Sequence, residues 1–345
     1  MQPIVLDPRK PQSLEDVSGA IIAEEVRVDG KRLFRKGEVL TADRAADLHL
    51  LDRPVHAVLL QAGEVHEDAA ARQLADAIAG PGTLTRGPLL SRVNVKAERK
   101  GLLRVDRDAV MAMNLIRDMA IFTQIDRLAV LPGKTLAGVK ITPIATHENN
   151  LRDASAIASE TTVIQVKPFL PLRVGVFSTE GMNDSSKQRF RDSVSAKISW
   201  YGGTVVDIVD VDREVEAVVE VMTRYQHQQV DLILAGGGNT IDPLDPTLLA
   251  LQRLDAEMVA FGAPLHPGSM LWLANWKSLP VFNLASCSMY SRSTSADLIL
   301  PWIMAGERVH AEDVAGLGYG GLLDNDMQFR FPPYDAGEPT DGAED

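Results

Sequence analysis

Cysteine is almost absent from this chain: Cys287 is the only one in 345 residues. A lone thiol closes no intrachain disulfide and builds no cysteine-based zinc site, which agrees with a reducing compartment. Long apolar runs are missing too. None approaches the roughly 20 residues of a membrane-spanning helix, and the opening MQPIVLDPRKPQ has no signal-peptide core. The expected location is therefore the cytoplasm, with no membrane partner. Positive charge is in deficit, 35 Lys and Arg against 47 Asp and Glu, for a formal net charge of −12. This excludes a general nucleic-acid or anionic-membrane surface. An anionic ligand would need local basic groups, for which Lys187, Arg189 and Arg292 are candidates. Two familiar phosphate signatures are also lacking: there is no G-x-G-x-x-G fingerprint and no P-loop Lys-Ser/Thr. His147 and Glu148 have no second histidine at metal-ligand spacing and read as a solvated turn.

What is present centres on VDLILAGGGNTIDPLDPT, residues Val230 to Thr247. The apolar run Leu232 to Ala235 is continuous rather than alternating, as expected of a parallel strand covered on both faces. It stops at Gly236, Gly237 and Gly238, then crosses a polar turn through Asn239 and Thr240 to Asp245-Pro246-Thr247. Aspartate followed by proline is a helix N-cap with proline at the first helical position. The stretch thus reads as strand, loop, helix. Glycines let a ligand approach the backbone, and the free N–H groups at the helix start favour an anion. Asp242 and Asp245, three residues apart beside that cradle, suit a cation or hydrogen bonds to a ligand ring. For Asp245 a plain capping role is compatible with either.

The length favours two or three domains. Residues 1–170 read as a mixed α+β lead-in region. Its short apolar segments are broken by Gly19, Gly30 and Gly37, a helical stretch opens at Thr41, and an alanine-rich helix over 67–79 ends at Gly80-Pro81-Gly82. A further helix is expected after Asp106 and a turn at Pro132-Gly133. Pro168 and Pro171 mark the boundary. From 171 to 310 strands alternate with helices: VGVFS, a helix through KQRFRDSVSAKISWYG, TVVDIV, EVEAVVEVMTRYQ, DLILA, PTLLALQRL. A last core strand, PVFNLA, follows a polar loop carrying His266, Pro267, Gly268 and Ser269. Such alternation predicts an α/β domain, a three-layer parallel sheet with helices on both faces. Residues 311–345 read as an extension with a disordered acidic tail.

Ligands of such sheets sit beyond the carboxyl ends of the strands. Three loops meet that description: Thr179 to Asp184, including Glu180, then Gly236 to Asp245, and Ser286 to Thr294. Ser286 and Ser288 offer hydroxyls suited to phosphate, while Cys287 suits either buried packing or a soft metal.

Taken in order, RVGVFST, GGTVVDIVDV, DLILAGGGNTIDPLDPT, GAPLHPGSM and LPVFNLASC resemble the molybdopterin-binding domain of the molybdopterin molybdotransferases, gephyrin and the smaller adenylylating enzymes of molybdenum-cofactor assembly. The likeness covers about residues 173–310. DVSGAIIAEEV, LFRKGEVLT and GVKITPI are similar to a reduced version of the molybdotransferase lead-in domain. The resemblance implies a pyranopterin ligand held by Gly236, Gly237, Gly238, Asn239 and Thr240, with Thr179 and Glu180 opposite. It also places Pro267, Gly268 and Ser269 at the proline-glycine turn of the family, and Ser286, Cys287 and Ser288 at its second ligand loop. Asp242 and Asp245 take the catalytic and metal-binding places, with molybdopterin or molybdenum cofactor and Mg²⁺ as the implied cofactors. A homo-oligomer and a client molybdoenzyme are the implied partners.

Three departures stand out. The proline-glycine turn is flanked by His266, Ser269 and Met270 where the family has lysine and a second proline. Ala-Ser-Cys-Ser replaces the usual proline-glycine-asparagine-proline, and the segment after the first strand reads Ser-Thr-Glu-Gly-Met-Asn-Asp. These changes touch catalysis more than binding, so metal insertion, a non-catalytic cofactor carrier and a nucleotide-handling enzyme all remain open.

Overall fold

The structure is a computed structural model that describes residues 1–10, 14–238, 240–284 and 294–335. The chain divides into two compact units. One comprises Met1–Glu98, Arg104–Asp126 and Gly133–Val166. The other comprises Arg99–Leu103, Arg127–Pro132 and Lys167–Asp345.

The first unit is mixed α and β. Strands β1 (Gln2–Leu6), β2 (Ile21–Ile22) and β4 (Val55–Leu59) form an antiparallel sheet in the order β1-β4-β2, and β3 (Lys31–Phe34) belongs to a separate hairpin. Leu6, Ile22, Phe34, Val55 and Ala57 share one buried cluster. Thr41 caps a one-turn helix, Ala42–Ala45, through its side chain. Helix α1 (Glu67–Ile78) packs on a four-stranded sheet in the order β7-β8-β6-β5, made of β5 (Thr83–Leu89), β6 (Arg92–Ala97), β7 (Met119–Thr123) and β8 (Thr135–Ile141). Its buried residues Ala70, Ala71, Leu74, Ala75 and Ile78 recur at helical spacing, so one face is apolar and meets the sheet. Asp106 caps α2 (Arg107–Asn114), and His147 caps α3 (Glu148–Glu160). His147 therefore serves as a helix cap rather than as a solvated turn.

The second unit carries the alternating pattern. Its elements are β9 (Arg173–Ser178), α4 (Asp184–Trp200), β10 (Thr204–Asp210), α5 (Val215–His227), β11 (Leu232–Gly236), α6 (Pro246–Arg253), β12 (Glu257–Phe261), β13 (Trp272–Trp276), β14 (Leu279–Leu284) and α7 (Ser295–Met304). The sheet order is β10-β9-β11-β14-β13-β12. The α/β three-layer expectation holds, with one difference. Strands β10, β9, β11 and β14 are parallel, but β13 and β12 run antiparallel and extend the sheet at one edge. Residues 257–276, of which the sequence reading named only the polar loop at 266–269, are a β-hairpin around that loop. Asn275 and the short EMVAF segment, which opens on Glu257, conceal its strands, and pairing with β14 decides the matter.

Both faces of β9 and β11 are covered, which is why residues 174–177 and 232–236 carry no polar side chain. Val174, Val176, Leu232 and Leu234 pack with α4 and α7, whereas Phe177, Ile233 and Ala235 pack with α5 and α6. Gly175 makes room for this arrangement. A Cβ there would lie 2.7 Å from the Tyr225 ring, whose hydroxyl donates to the Val176 carbonyl at 2.6 Å.

Among the described residues no helix is long and apolar enough to cross a membrane. Residues 336–345, read as a disordered tail, lie outside the described residues. Tyr334, just before them, donates to Asp297 at 2.8 Å.

Candidate functional site

The chain passes from β9 outward to β10 and then returns across β9 to β11, so the order of strands reverses between β9 and β11. Loops leaving adjacent strands at such a reversal part from each other and leave a crevice at the carboxyl ends. The predicted glycine turn lies there. Gly237 and Gly238 adopt φ of +109° and +76°, a region open to glycine. A Cβ on Gly237 would stand 2.8 Å from Glu180 Oε1 and 2.9 Å from Thr179 Oγ1, so the two lips of the crevice are in close contact. Thr179 is buried and its N–H donates to the Gly236 carbonyl at 3.1 Å; Glu180 is exposed.

The glycine turn is anchored from the antiparallel side of the sheet. Trp272 Nε1 donates to the Gly238 carbonyl at 3.0 Å, and Asn283 Nδ2 approaches the same oxygen at 3.4 Å. Asn283 also accepts from Trp272 N at 2.7 Å and donates to the Met270 carbonyl at 3.1 Å. This one buried amide ties the strand end of β14 to both neighbouring loops. Neither Trp272 nor Asn283 was singled out by the sequence: Asn283 sits in a run that reads as core strand, and the strand that carries Trp272 was not read at all.

Asp245 is the N-cap of α6, accepting from Thr247 N at 2.9 Å, with proline in the first turn as expected. Asp242 accepts from Leu244 N at 3.0 Å. Both carboxylates face Arg213, from the loop after β10, at 3.2 Å for Asp242 and 3.6 Å for Asp245. The acidic pair is therefore brought together, and the cation beside it is a guanidinium of this same chain. Among the described residues no group of three or more His, Cys, Asp or Glu could hold a metal ion. As arranged, the donor set does not fit Mg²⁺.

Thr247 is the feature that sequence reasoning passed by. It is buried in the first turn of α6, and its Oγ1 has no hydrogen-bond partner among the described residues. A buried hydroxyl left unmatched is costly, and it stands where the backbone N–H groups of a helix start favour an anion. The adjacent Asp-Pro-Thr triplet was legible as a cap, but local sequence does not tell whether a hydroxyl finds a partner.

The loop between β12 and β13 reaches the same end of the sheet, since β13 starts opposite the end of β14. Pro267 and Ser269 are exposed, and the His266-Pro267 peptide is cis. Gly268 has φ +117°, and a Cβ there would come within 2.3 Å of Ser295 Oγ, so it packs on the start of α7. Thr240 is half-buried after the glycine turn. Asn239, Ser286, Cys287 and Ser288, with Arg292, lie outside the described residues. Of the basic candidates, Lys187 pairs with Asp210 at 3.1 Å and Arg189 bonds to Ser186 at 3.1 Å.

Comparison with known proteins adds the following. No family model matches the chain, and no curated protein matches its sequence. Among solved structures it is similar to the molybdopterin biosynthesis enzyme MoaB of Thermus thermophilus, at 19% identity over 39% of this chain and 98% of that one, with a TM-score of 0.29. It is also similar to the molybdopterin biosynthesis MoeA protein of Pyrococcus horikoshii, at 12% identity over 70% of this chain and 74% of that one, TM-score 0.29. A molybdenum cofactor biosynthesis protein B is similar at 19% identity over 40% and 96%, TM-score 0.33. These solved structures belong to the group of proteins that the ordered segments resemble, each at low identity. Likenesses of this size say nothing of the chemistry of this chain.

The start of α7 is fixed by a buried network. Thr294 and Asp297 form a capping box, and Lys197 Nζ lies 2.8 Å from both Asp297 oxygens. Tyr334 donates to Asp297, and the Tyr201 and Tyr334 hydroxyls are 3.0 Å apart. Burial first, and then the Asp297 charge, raises the Tyr201 phenol well above its ordinary value; burial likewise raises Tyr334, reinforced by Tyr201 and Asp297.

Proposed function

We propose that the strand ends around Gly236 bind a phosphorylated pyranopterin, molybdopterin or the molybdenum cofactor made from it, and that the protein serves in the assembly or delivery of that cofactor. The observation that carries this reading is the unpartnered buried hydroxyl of Thr247, at the start of a capped helix beside a glycine turn at the sheet's reversal point. A phosphate oxygen is the acceptor such a hydroxyl and helix start are made for. The ordered sequence segments supply the pterin part of the proposal.

Gly237, Gly238, Asn239 and Thr240 would hold the ligand from one lip and Thr179 and Glu180 from the other, with Thr247 at the phosphate. Pro267, Gly268 and Ser269, together with Ser286, Cys287 and Ser288, would close the far side. When bound, the pyranopterin supplies the dithiolene that takes the metal. The chain's own work is to orient the pterin, neutralise its phosphate with N–H donors and keep water from it.

Between catalyst and carrier, one observation favours the carrier. Asp242 and Asp245 are held by Arg213 and by backbone N–H groups, so neither carboxylate stands free to organise a metal during insertion. A homo-oligomer that hands its cargo to a client molybdoenzyme belongs to the same proposal.

The test is purification from a host that makes the cofactor, then acid-iodine oxidation and fluorescence detection of the pterin. Near-stoichiometric pterin is expected in the wild type, and about tenfold less in Thr247→Val, equivalent to the loss of one hydrogen bond to a charged group. Pterin absent from the wild type would sink the proposal and direct the search to nucleotides. A molybdate-insertion assay separates the remaining roles, since a carrier binds without accelerating insertion.

A further inference from the structure

The second unit has a pocket at the end of its sheet away from the glycine turn, and it does not depend on the pterin proposal. The pocket measures about 260 Å³ and lies between the amino ends of β9 and β11, the turn joining β13 to β14, and the segment that follows α7. Helix α7 stops at Met304, and Gly306, at φ +74°, turns the chain away. The gap left between that turn and the strand ends is the pocket.

Its floor is apolar but for one residue. Side chains alternate across a strand, and on β13 Trp272, Ala274 and Trp276 join the cluster packed with α5 and α6, whereas Leu273 joins the cluster packed with α7. Asn275, two residues beyond Leu273, lines the pocket beside it. Leu273, Ile303 and Val309 around it are buried. Asn275 itself is half-buried, so its carboxamide can be reached, and that carboxamide has no hydrogen-bond partner among the described residues. An amide on an apolar wall is costly unless it is matched.

The charged groups at the rim are committed within the chain. Asp231 accepts from Arg173 N at 2.8 Å, Glu307 pairs with Lys167 at 2.9 Å and Arg127 at 3.8 Å, and Arg308 lies 3.5 Å from Glu257. The pocket therefore calls for no charged ligand. What it offers is apolar surface and a carboxamide, which presents a donor and an acceptor side by side. A cavity of roughly 150 Å³ holds a benzene ring, so this one has room for a ring with a small substituent or for two fused rings.

We propose that this pocket binds a small neutral heterocycle with an amide edge, its ring among Leu273, Ile303 and Val309 and its N–H and carbonyl on the carboxamide of Asn275. 2-Pyridone and benzene are suitable probes, because both offer the ring and only the first offers the edge.

The experiment is titration of the full chain, labelled at Ile, Leu and Val methyls, with each probe by NMR, for wild type, Asn275→Ala and Leu172→Trp, the last narrowing the pocket from its rim. In the wild type 2-pyridone should shift the methyls of Leu273, Ile303 and Val309 saturably. Asn275→Ala should weaken 2-pyridone by about tenfold and leave benzene unchanged, and Leu172→Trp should weaken both by about tenfold or more. Three results overturn the proposal: no saturable shift of those methyls by 2-pyridone up to about 10 mM, the same 2-pyridone affinity in Asn275→Ala as in wild type, or equal losses for both probes in that variant. Should Leu172→Trp fail to fold, Asn275→Ala decides alone. The pocket and the glycine turn lie at opposite ends of the sheet, so failure of either proposal leaves the other standing.

Discussion

Lys197 on α4 and Asp297 on α7 form an ion pair in the interior of the second unit, with side-chain exposures of 6% and 1% and Nζ 2.8 Å from both carboxylate oxygens. They are 100 residues apart in sequence. The pair ties the start of α7 to the middle of the core beside α4.

Lys197→Met should therefore be severely destabilising. Removing one partner strands the other charge in the interior, at a cost of about 3–5 kcal/mol. Denaturant unfolding of Lys197→Met beside the double variant K197M/D297N measures it. The double variant should recover a substantial part of the loss, and equal losses in both would show that the charge on Asp297 is not what is left uncompensated.

Asn283→Leu should loosen the candidate site from behind. The amide serves Trp272 N, the Gly238 carbonyl and the Met270 carbonyl together. Leaving buried groups unmatched costs about 1–3 kcal/mol each, and Gly238 keeps its bond from Trp272. A loss of roughly 2–4 kcal/mol on that basis is expected, with faster amide exchange in residues 237–245 and 262–271 than in α5, and hydrogen-exchange mass spectrometry reports it by segment.

Arg213→Ala should destabilise by about 1–2 kcal/mol, because its pair with the half-exposed Asp242 is worth little while the buried Asp245 carboxylate loses a neighbouring charge and keeps its cap bond. It also tests the carrier reading. Asp245 stays committed to capping α6, so Mn²⁺ binding followed by electron paramagnetic resonance should remain at background. A new tight site in Arg213→Ala would show that the acidic pair is a masked metal site and would restore metal insertion as the better reading.

The alkaline limb of stability is set by buried phenols. Burial first, and then the charge on Asp207, pushes Tyr225 from 10.0 up to about 12. Tyr201 and Tyr334 are raised as well. A folded-state value above the unfolded one means that the contribution is complete below pH 10 and is lost as pH climbs towards 12. Unfolding free energy should thus fall with pH across that window, with phenolate absorbance appearing as the protein unfolds. Tyr225→Phe should flatten the fall, and an unchanged slope would show that this phenol is not involved.

Most of the architecture of the second unit was legible in the sequence. Strands β9, β10, β11 and β14 and their helices announce themselves by continuous apolar runs and by caps, the clearest being Asp245 before Pro246. The hairpin of β12 and β13 did not, because its strands are short, carry Glu257 and Asn275, and are stabilised by pairing rather than by local preference. At the site, the glycine turn and its capped helix were visible, whereas Arg213, Trp272 and Asn283 were not.

By itself, the sequence determined the parallel strands and the helices of the second unit, where the glycine turn falls and which residue caps the helix beyond it. Those properties depend on neighbours within a turn or two. Tertiary structure alone decided that Asp242 and Asp245 meet Arg213 and that Thr247 keeps a hydroxyl unmatched among the described residues. The physical reason is that a polar group's partner is chosen by the order in which strands and loops are laid together, and local residue patterns do not encode that order.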